Sequence, residues 1–217
     1  MIKLVVIDFD DTLAMTEESC FVLENYIAGK MGFAPMNRAT HRKNWGTPIR
    51  KAITERFPGI DAEVFMELHR QVWDGFVEAG KMDLIVPANI EALCRIKESG
   101  KKMAILTSRV LHEVRHLLDE NHRINSFVDK VYHADNLEHL KPDPRAFKQC
   151  FADFNVIPEE AAYIGDSVSD GLAAKGAGMH FIVSLESGLR TKNDFEKIKV
   201  DYFANRFPEI VDYITNN

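Results

Sequence analysis

The chain has 217 residues, 46% of them apolar and 28% charged, with 27 basic against 33 acidic residues and a net charge of −6. That length and composition fit one large globular domain, or one domain carrying an insert, and exclude a low-complexity or fibrous chain. The negative balance disfavours nucleic-acid backbones and anionic membranes, so neither is expected as a partner. Cys20, Cys94 and Cys150 are odd in number and far apart, which suggests buried thiols in a reducing compartment rather than a disulfide framework or a CxxC site. The apolar stretch at the start is too short for a signal core or a membrane span, and a cytoplasmic location is expected.

In chain order, residues 3–7 form a short β-branched run that stops at an acidic cluster and reads as a strand buried on both faces. Residues 14–82 then show amphipathic helical segments, 17–31 and 61–79 among them. Pro35, Pro48 and Pro58 punctuate this stretch, which contains no convincing strand. From residue 87 onward helix and strand alternate. Helical patterns at 88–99, 109–121, 145–154 and 168–177 separate strand-like runs at 103–106, 131–132, 162–164 and 181–183. The alternation predicts an α/β fold with a doubly wound, Rossmann-like parallel sheet. Residues 1–13 and 83–217 are expected to form this core and residues 14–82 a helical cap inserted into it, with Gly80 and Pro87 suiting the return.

Ligands of open α/β sheets bind beyond the carboxyl ends of the strands, and here those ends are polar. Asp8-Phe9-Asp10-Asp11-Thr12 follows the first run and Thr107-Ser108-Arg109 the second; Lys141 opens Lys-Pro-Asp-Pro, and Gly165-Asp166-Ser167-Val168-Ser169-Asp170 follows a later strand. Four carboxylates, Asp8, Asp10, Asp166 and Asp170, are expected to converge, and their repulsion calls for a cation. Oxygen donors without His or Cys favour Mg²⁺ over Zn²⁺. Lys141 would offset the remaining charge towards an anion, and Thr107 and Ser108 would add donors at the start of a helix.

These four segments resemble, in order, the four motifs of the haloacid dehalogenase superfamily, with Asp8 to Thr12 as its DxDxT. With an insert between the first and second motifs, the chain is similar to the helical-cap subgroup that includes phosphoglycolate phosphatase and β-phosphoglucomutase. The resemblance implies a magnesium-dependent phosphatase acting on a small phosphorylated metabolite. Asp8 would be the nucleophile that becomes an aspartyl-phosphate, and Asp10 the acid that protonates the leaving oxygen and then activates water. Thr107, Ser108 and Lys141 would hold the phosphoryl group. Asp8, the Asp10 carbonyl and Asp166 would hold Mg²⁺, with Asp170 as a further ligand or an orienting carboxylate. Halide-displacing members lack the second aspartate, so Asp10 favours phosphoryl transfer. In the cap, Trp45-Gly46-Thr47-Pro48-Ile49-Arg50 resembles a substrate-facing turn, with Gly46 and Arg50 as candidates. Phe21, Phe33, Phe65, Trp73 and Phe76 read as cap core, and Arg109, Asp11 and Thr12 as supports of loop geometry.

Three other readings compete. A phosphomutase of the β-phosphoglucomutase type shares the first half-reaction. A receiver-like signalling domain also groups aspartates, a hydroxyl and a lysine around Mg²⁺, but has no use for a cap. His112-Glu113-Val114-Arg115-His116 matches the HExxH of zinc proteases. On a regular helix, however, Val110, Leu111, Val114, Leu117 and Leu118 make one apolar face and the two histidines point to solvent.

Overall fold

A computed structural model describes residues 1–217, which divide into two compact units: Met1–Ala14 with Ile85–Asn217, and Met15–Leu84. In chain order the elements are β1 (Leu4–Ile7), α1 (Glu17–Lys30), α2 (Arg38–Lys43), α3 (Ile49–Arg56), α4 (Ala62–Glu78), α5 (Pro87–Glu98), β2 (Lys102–Leu106) and α6 (Leu111–Val114). They continue with β3 (Lys130–Tyr132), α7 (Lys148–Phe154), β4 (Ala161–Gly165), α8 (Val168–Ala177), β5 (His180–Ser184), β6 (Tyr202–Ala204) and α9 (Ile210–Asn216).

The first unit is built on a six-stranded sheet in the order β3-β2-β1-β4-β5-β6, and all its pairings are parallel. Strand residues two apart face the same side. Val5, Ile7, Ile105 and Ile164 accordingly enter one buried cluster, and Leu4, Val6, Leu106 and Tyr163 the other. Burial on both faces explains why the strands read as unbroken apolar runs. The winding reverses at β1, whose neighbours are β2 and β4. That switch point is where a doubly wound sheet opens a crevice at its carboxyl edge.

The second unit is helical and packs Leu23, Ile27, Ile53, Phe57, Phe65 and Trp73 into a core of its own. Phe65 and Trp73 are buried, while Phe21, Phe33 and Phe76 are partly buried against this core. Asp61 caps α4 by accepting from the amides of Glu63 and Val64. This core also holds charge. Glu17 and Glu24 of α1 are buried together with His41 of α2 and Arg56 of α3, and Arg56 donates to both oxygens of Glu24.

Several elements depart from the sequence reading. The expected helix at 109–121 is only α6 followed by a 3-10 turn at Arg115–Leu118. The expected apolar face therefore does not form: Val114 and Leu117 are buried, whereas Val110, Leu111 and Leu118 are exposed and His112 and His116 are half-buried. Strand β6 and helix α9 were not anticipated. Of the cysteines only Cys150 is buried. No helix is long and apolar enough to cross a membrane.

Candidate active site

Strand β1 delivers the first carboxylate. The Asp8 amide continues the ladder by donating to the Ile164 carbonyl at 2.8 Å, so the side chain leaves the sheet at the edge shared with β4. The chain then folds back. The amides of Leu13 and Ala14 both donate to the Phe9 carbonyl, and Asp11 takes the turn at φ 53°. Left-handed backbone is uncommon outside glycine and is tolerated best by Asp and Asn, which gives Asp11 the loop-shaping role that its position alone had suggested. Thr12 is fully buried beneath this loop.

Strand β4 delivers the second group. A Cβ on Gly165 would lie 2.6 Å from the Asp170 side chain, so glycine is required for that carboxylate to reach the strand end. Ser167 caps α8 by accepting from the Asp170 amide at 3.2 Å, and Asp170 Oδ2 in return accepts from the Ser167 amide at 2.9 Å and its hydroxyl at 2.6 Å. The fourth motif is thus also a capping box.

Lys141 ties the two strand ends together. Its ammonium donates to Asp8 Oδ1 at 2.9 Å, Asp170 Oδ1 at 2.7 Å and the Tyr163 hydroxyl at 2.8 Å. Burial disfavours the charged ammonium, but the carboxylates of Asp170 and Asp8 outweigh it and hold the group above the ordinary lysine range. Asp143 behaves as a cap, accepting from the Arg145 amide at 2.9 Å with Pro144 opening the turn.

Asp8, Asp166 and Asp170 are all buried, and their ligand atoms lie within 4.8 Å of one another. Burial pushes the Asp8 carboxyl up to about 7; Lys141 pulls it back, while Asp170 and Asp10 raise it further. Asp166 is raised well above the carboxylate range by burial and then by the charges of Asp170, Asp8 and Asp11. So many buried oxygens, kept from comfortable ionisation by one another, fit a hard divalent cation such as Mg²⁺. Both oxygens of Asp170 are already engaged, with Lys141 and Tyr163 on one and Ser167 on the other. Asp170 therefore suits an orienting role better than direct ligation.

The remaining candidates fall in different places. Thr107 is buried just beyond β2, its hydroxyl accepting from the Arg109 amide at 3.2 Å. Ser108 is exposed. The helix expected to begin here is the single turn α6, so no extended dipole stands behind these two residues. In the helical unit Gly46 has φ 86°, and the Arg50 guanidinium is ion-paired with Glu63.

Tyr163 was not singled out by the sequence, and Arg109 was read there only as a support of loop geometry. Tyr163 read as a strand residue, yet its hydroxyl meets Lys141, Asp170 and the Leu106 carbonyl. A tyrosine inside an otherwise apolar strand is the available signal, since a buried phenol needs a partner. Arg109 grips Asp10 from the side, donating from Nη2 to Oδ1 at 2.7 Å and from Nε to both oxygens at 3.1 Å. The histidines of the HExxH segment do not belong to the acidic cluster. His122 stands at the spacing of a third ligand in an extended form of the HExxH pattern. The helix that such a site needs is nevertheless broken after Val114.

Comparison with known proteins identifies the family and the fold. The haloacid dehalogenase-like hydrolase family matches residues 5–184. The chain belongs to that family. Among curated members, a phosphoglycolate phosphatase of Nitrosospira multiformis is 28% identical over 82% of this chain and 81% of its own length. A probable phosphatase, IndB, of Dickeya dadantii is 27% identical over 97% and 93%. Among solved haloacid dehalogenase-like structures, a putative β-phosphoglucomutase from Thermotoga maritima superposes with a TM-score of 0.78 at 25% identity, covering 99% of each chain. CbbY from Rhodobacter sphaeroides, solved in complex with phosphate, gives 0.79 at 23% identity over 97% and 96% and shares the fold. The order β3-β2-β1-β4-β5-β6 is the α/β architecture of this family.

Proposed function

We propose that this haloacid dehalogenase-like phosphatase hydrolyses a small phosphate monoester in two steps, with Asp8 as nucleophile. The observation that carries the reading is the Asp8 carboxylate, buried at the switch point, 2.9 Å from the Lys141 ammonium and clustered with Asp166 and Asp170.

In the first step an Asp8 oxygen attacks phosphorus, the phosphorus bond to the ester oxygen breaks, and Asp10 gives a proton to the departing alcohol. In the second step Asp10, now a carboxylate, takes a proton from water, which attacks the aspartyl-phosphate and returns Asp8 and inorganic phosphate. Lys141 and Thr107 are assigned to the phosphoryl oxygens and Ser108 to an accessory donor. Asp8, Asp166 and the Asp10 carbonyl are assigned as the groups that would hold Mg²⁺. When bound, the ion offsets negative charge where charge accumulates in phosphoryl transfer. The size of the task explains the number of groups. Uncatalysed monoester hydrolysis is slow enough to need up to ~10²¹-fold acceleration, and one general acid supplies only ~10² to 10⁴. Positioning and electrostatics must supply the rest.

The helical unit is assigned substrate selection through Gly46 and Arg50, on resemblance alone; Arg50 would have to exchange Glu63 for an anionic substrate group. The names of the curated relatives make 2-phosphoglycolate the first ester to try. The match to the β-phosphoglucomutase fold keeps a mutase as the second reading, in which a sugar hydroxyl replaces water. A receiver domain has no support from a hydrolase family match that spans both the sheet and the insert.

The test is phosphate release from a panel of small esters with and without Mg²⁺. Magnesium-dependent turnover by the wild type, lost in Asp8→Asn, is expected. Turnover unchanged in Asp8→Asn would remove the nucleophile assignment. Isomerised sugar phosphate without phosphate release would favour the mutase.

A further inference from the structure

Arg109 lies outside the groups assigned to phosphate and metal, yet it is buried and its guanidinium grips the Asp10 carboxylate. Its side chain is 7% exposed against 31% for Asp10. Its guanidinium stacks 5.0 Å from the ring centre of Phe9, which is itself fully buried beside Asp10 in sequence. The backbone is pinned on both sides: the Arg109 amide donates to the Thr107 hydroxyl at 3.2 Å and its carbonyl accepts from the Ala134 amide at 2.8 Å. A planar guanidinium held at its root and along its face offers its donors in one fixed direction.

The contacts divide the two oxygens of Asp10 unequally. Oδ1 receives Nη2 at 2.7 Å and Nε at 3.1 Å, whereas Oδ2 receives only Nε at 3.1 Å. The grip fixes the plane of the carboxyl group and loads one oxygen, leaving the other to exchange a proton with a reacting oxygen. A lone aspartate on a loop has no such preference, and misplacement of a proton donor by about an ångström can cost ~10²-fold in rate.

We propose that Arg109 is the positioning residue for Asp10: by clamping Oδ1 it presents Oδ2 to the leaving oxygen, and it acts on the reaction through proton delivery rather than through the phosphate or the metal. The inference rests on Asp10 being the proton donor, as proposed above. It goes beyond that reading by assigning the residue that makes the donor directional, a role distinct from support of the loop.

Leaving-group dependence separates the two roles. An alkyl phosphate needs a proton at its departing oxygen, while p-nitrophenyl phosphate departs as a stable phenolate and needs little help. The experiment measures kcat/KM, which reports steps through the first transfer, for both esters with Mg²⁺ present. The proteins are wild type, Asp10→Asn, Arg109→Met, Arg109→Lys and the double variant Asp10→Asn/Arg109→Met. Arg109→Met is expected to lose about 10-fold or more on the alkyl ester beyond its loss on the aryl ester, in the direction shown by Asp10→Asn. Arg109→Lys, which keeps the charge and loses the fork, is expected to show a smaller bias of the same sign. The double variant should be no slower on the alkyl ester than Asp10→Asn alone, because residues acting as one unit are not additive. The ratio of the two esters within one preparation does not depend on how much of a variant is folded, so a weakened fold does not obscure the result. Equal losses on both esters, or additive losses in the double variant, overturn the clamp. If Asp10→Asn itself shows no leaving-group bias, the proton-donor assignment falls and the clamp with it.

Discussion

The ammonium of Lys141 has three hydrogens and three oxygen partners, Asp8, Asp170 and Tyr163, so its direction is fixed before any substrate arrives. Tyr163 contributes without reaching the reacting atoms. Its ring packs edge-on to Phe147 at 4.8 Å, and its hydroxyl hydrogen lies within reach of Asp170 Oδ1 at 3.2 Å or the Leu106 carbonyl at 3.3 Å. Removing that oxygen leaves a buried ammonium one acceptor short, and a hydrogen bond to a charged group is worth about 1.5 to 3 kcal/mol. Tyr163→Phe is therefore expected to lower kcat by about 10-fold, at roughly 1.4 kcal/mol per tenfold, with KM little changed. Steady-state kinetics checks it, and an unaltered kcat would mean that two carboxylates suffice to orient the lysine. Most of this site was legible because acidic and hydroxyl side chains at the ends of apolar strands stand out against the core. Tyr163 and Arg109 were not, because their roles depend on which neighbour the fold brings to them. In sequence, 99 positions separate Arg109 from Asp10, and nothing in either segment names the other.

Whole elements were legible in proportion to their regularity. Helix α8 was read at its full extent, since Ser167 with Asp170 marks its start and Gly178, at φ 88°, its end. The segment at 109–121 failed because an apolar period says which residues could share a face, not whether the backbone keeps one pitch; α6 ends after four residues and a 3-10 turn shifts the register. Strand β6 escaped because Tyr202–Ala204 is three residues long and lacks the β-branched residue, Val131, that marked β3 at the same length. The packing of α1 hides something the pattern could not show. Alongside Leu23 and Ile27 it buries Glu17 and Glu24, and these are matched by His41, whose Nδ1 is 2.8 Å from Glu17, and by Arg56 on Glu24. Breaking a buried pair costs about 3 to 5 kcal/mol, whereas replacing both members with apolar residues is often neutral or favourable. Arg56→Met is thus expected to lower the urea midpoint strongly, and Glu24→Leu combined with Arg56→Met to recover most of the loss. A double variant that stays as unstable as Arg56→Met alone would show that the pair itself, and not an orphaned charge, holds the helices together.

At the scale of the molecule, the carboxylate cluster sets the stability of the folded chain against its capacity to bind a cation. Burial raises Asp8 from 3.8 to about 7 and Asp166 well above its ordinary value. The folded, metal-free protein therefore holds protons that the unfolded chain releases near pH 4. Stability falls as pH rises wherever the folded state binds more protons than the unfolded one. The contribution from Asp8 is fully present below about pH 4 and is lost as pH rises through about 7, and Asp166 acts in the same direction. Glu17 and Asp201 have the opposite sign, because their carboxyls are lowered despite burial, Glu17 by Arg38 and His41 and Asp201 by Lys175. Their contribution is lost only at acid pH, below the ordinary carboxylate range, so it does not compete in the neutral window. Mg²⁺ needs the carboxylates ionised, and a ligand that binds only the folded state stabilises by about 2.7 kcal/mol at 100 times its Kd. Thermal melts of the wild type should accordingly show a larger Mg²⁺-induced rise in Tm at about pH 8 than at about pH 5. Asp166→Asn removes one buried charge without changing shape. In the absence of metal its Tm at the higher pH should exceed that of the wild type, its decline with pH should be shallower, and its response to Mg²⁺ should be largely gone. Comparing the two proteins cancels the groups that lie outside the cluster. A Mg²⁺ shift equal at both pH values, or a metal-free Asp166→Asn that melts below the wild type at about pH 8, would mean that the cluster is not under electrostatic stress and that its carboxylates are arranged for something other than a divalent cation.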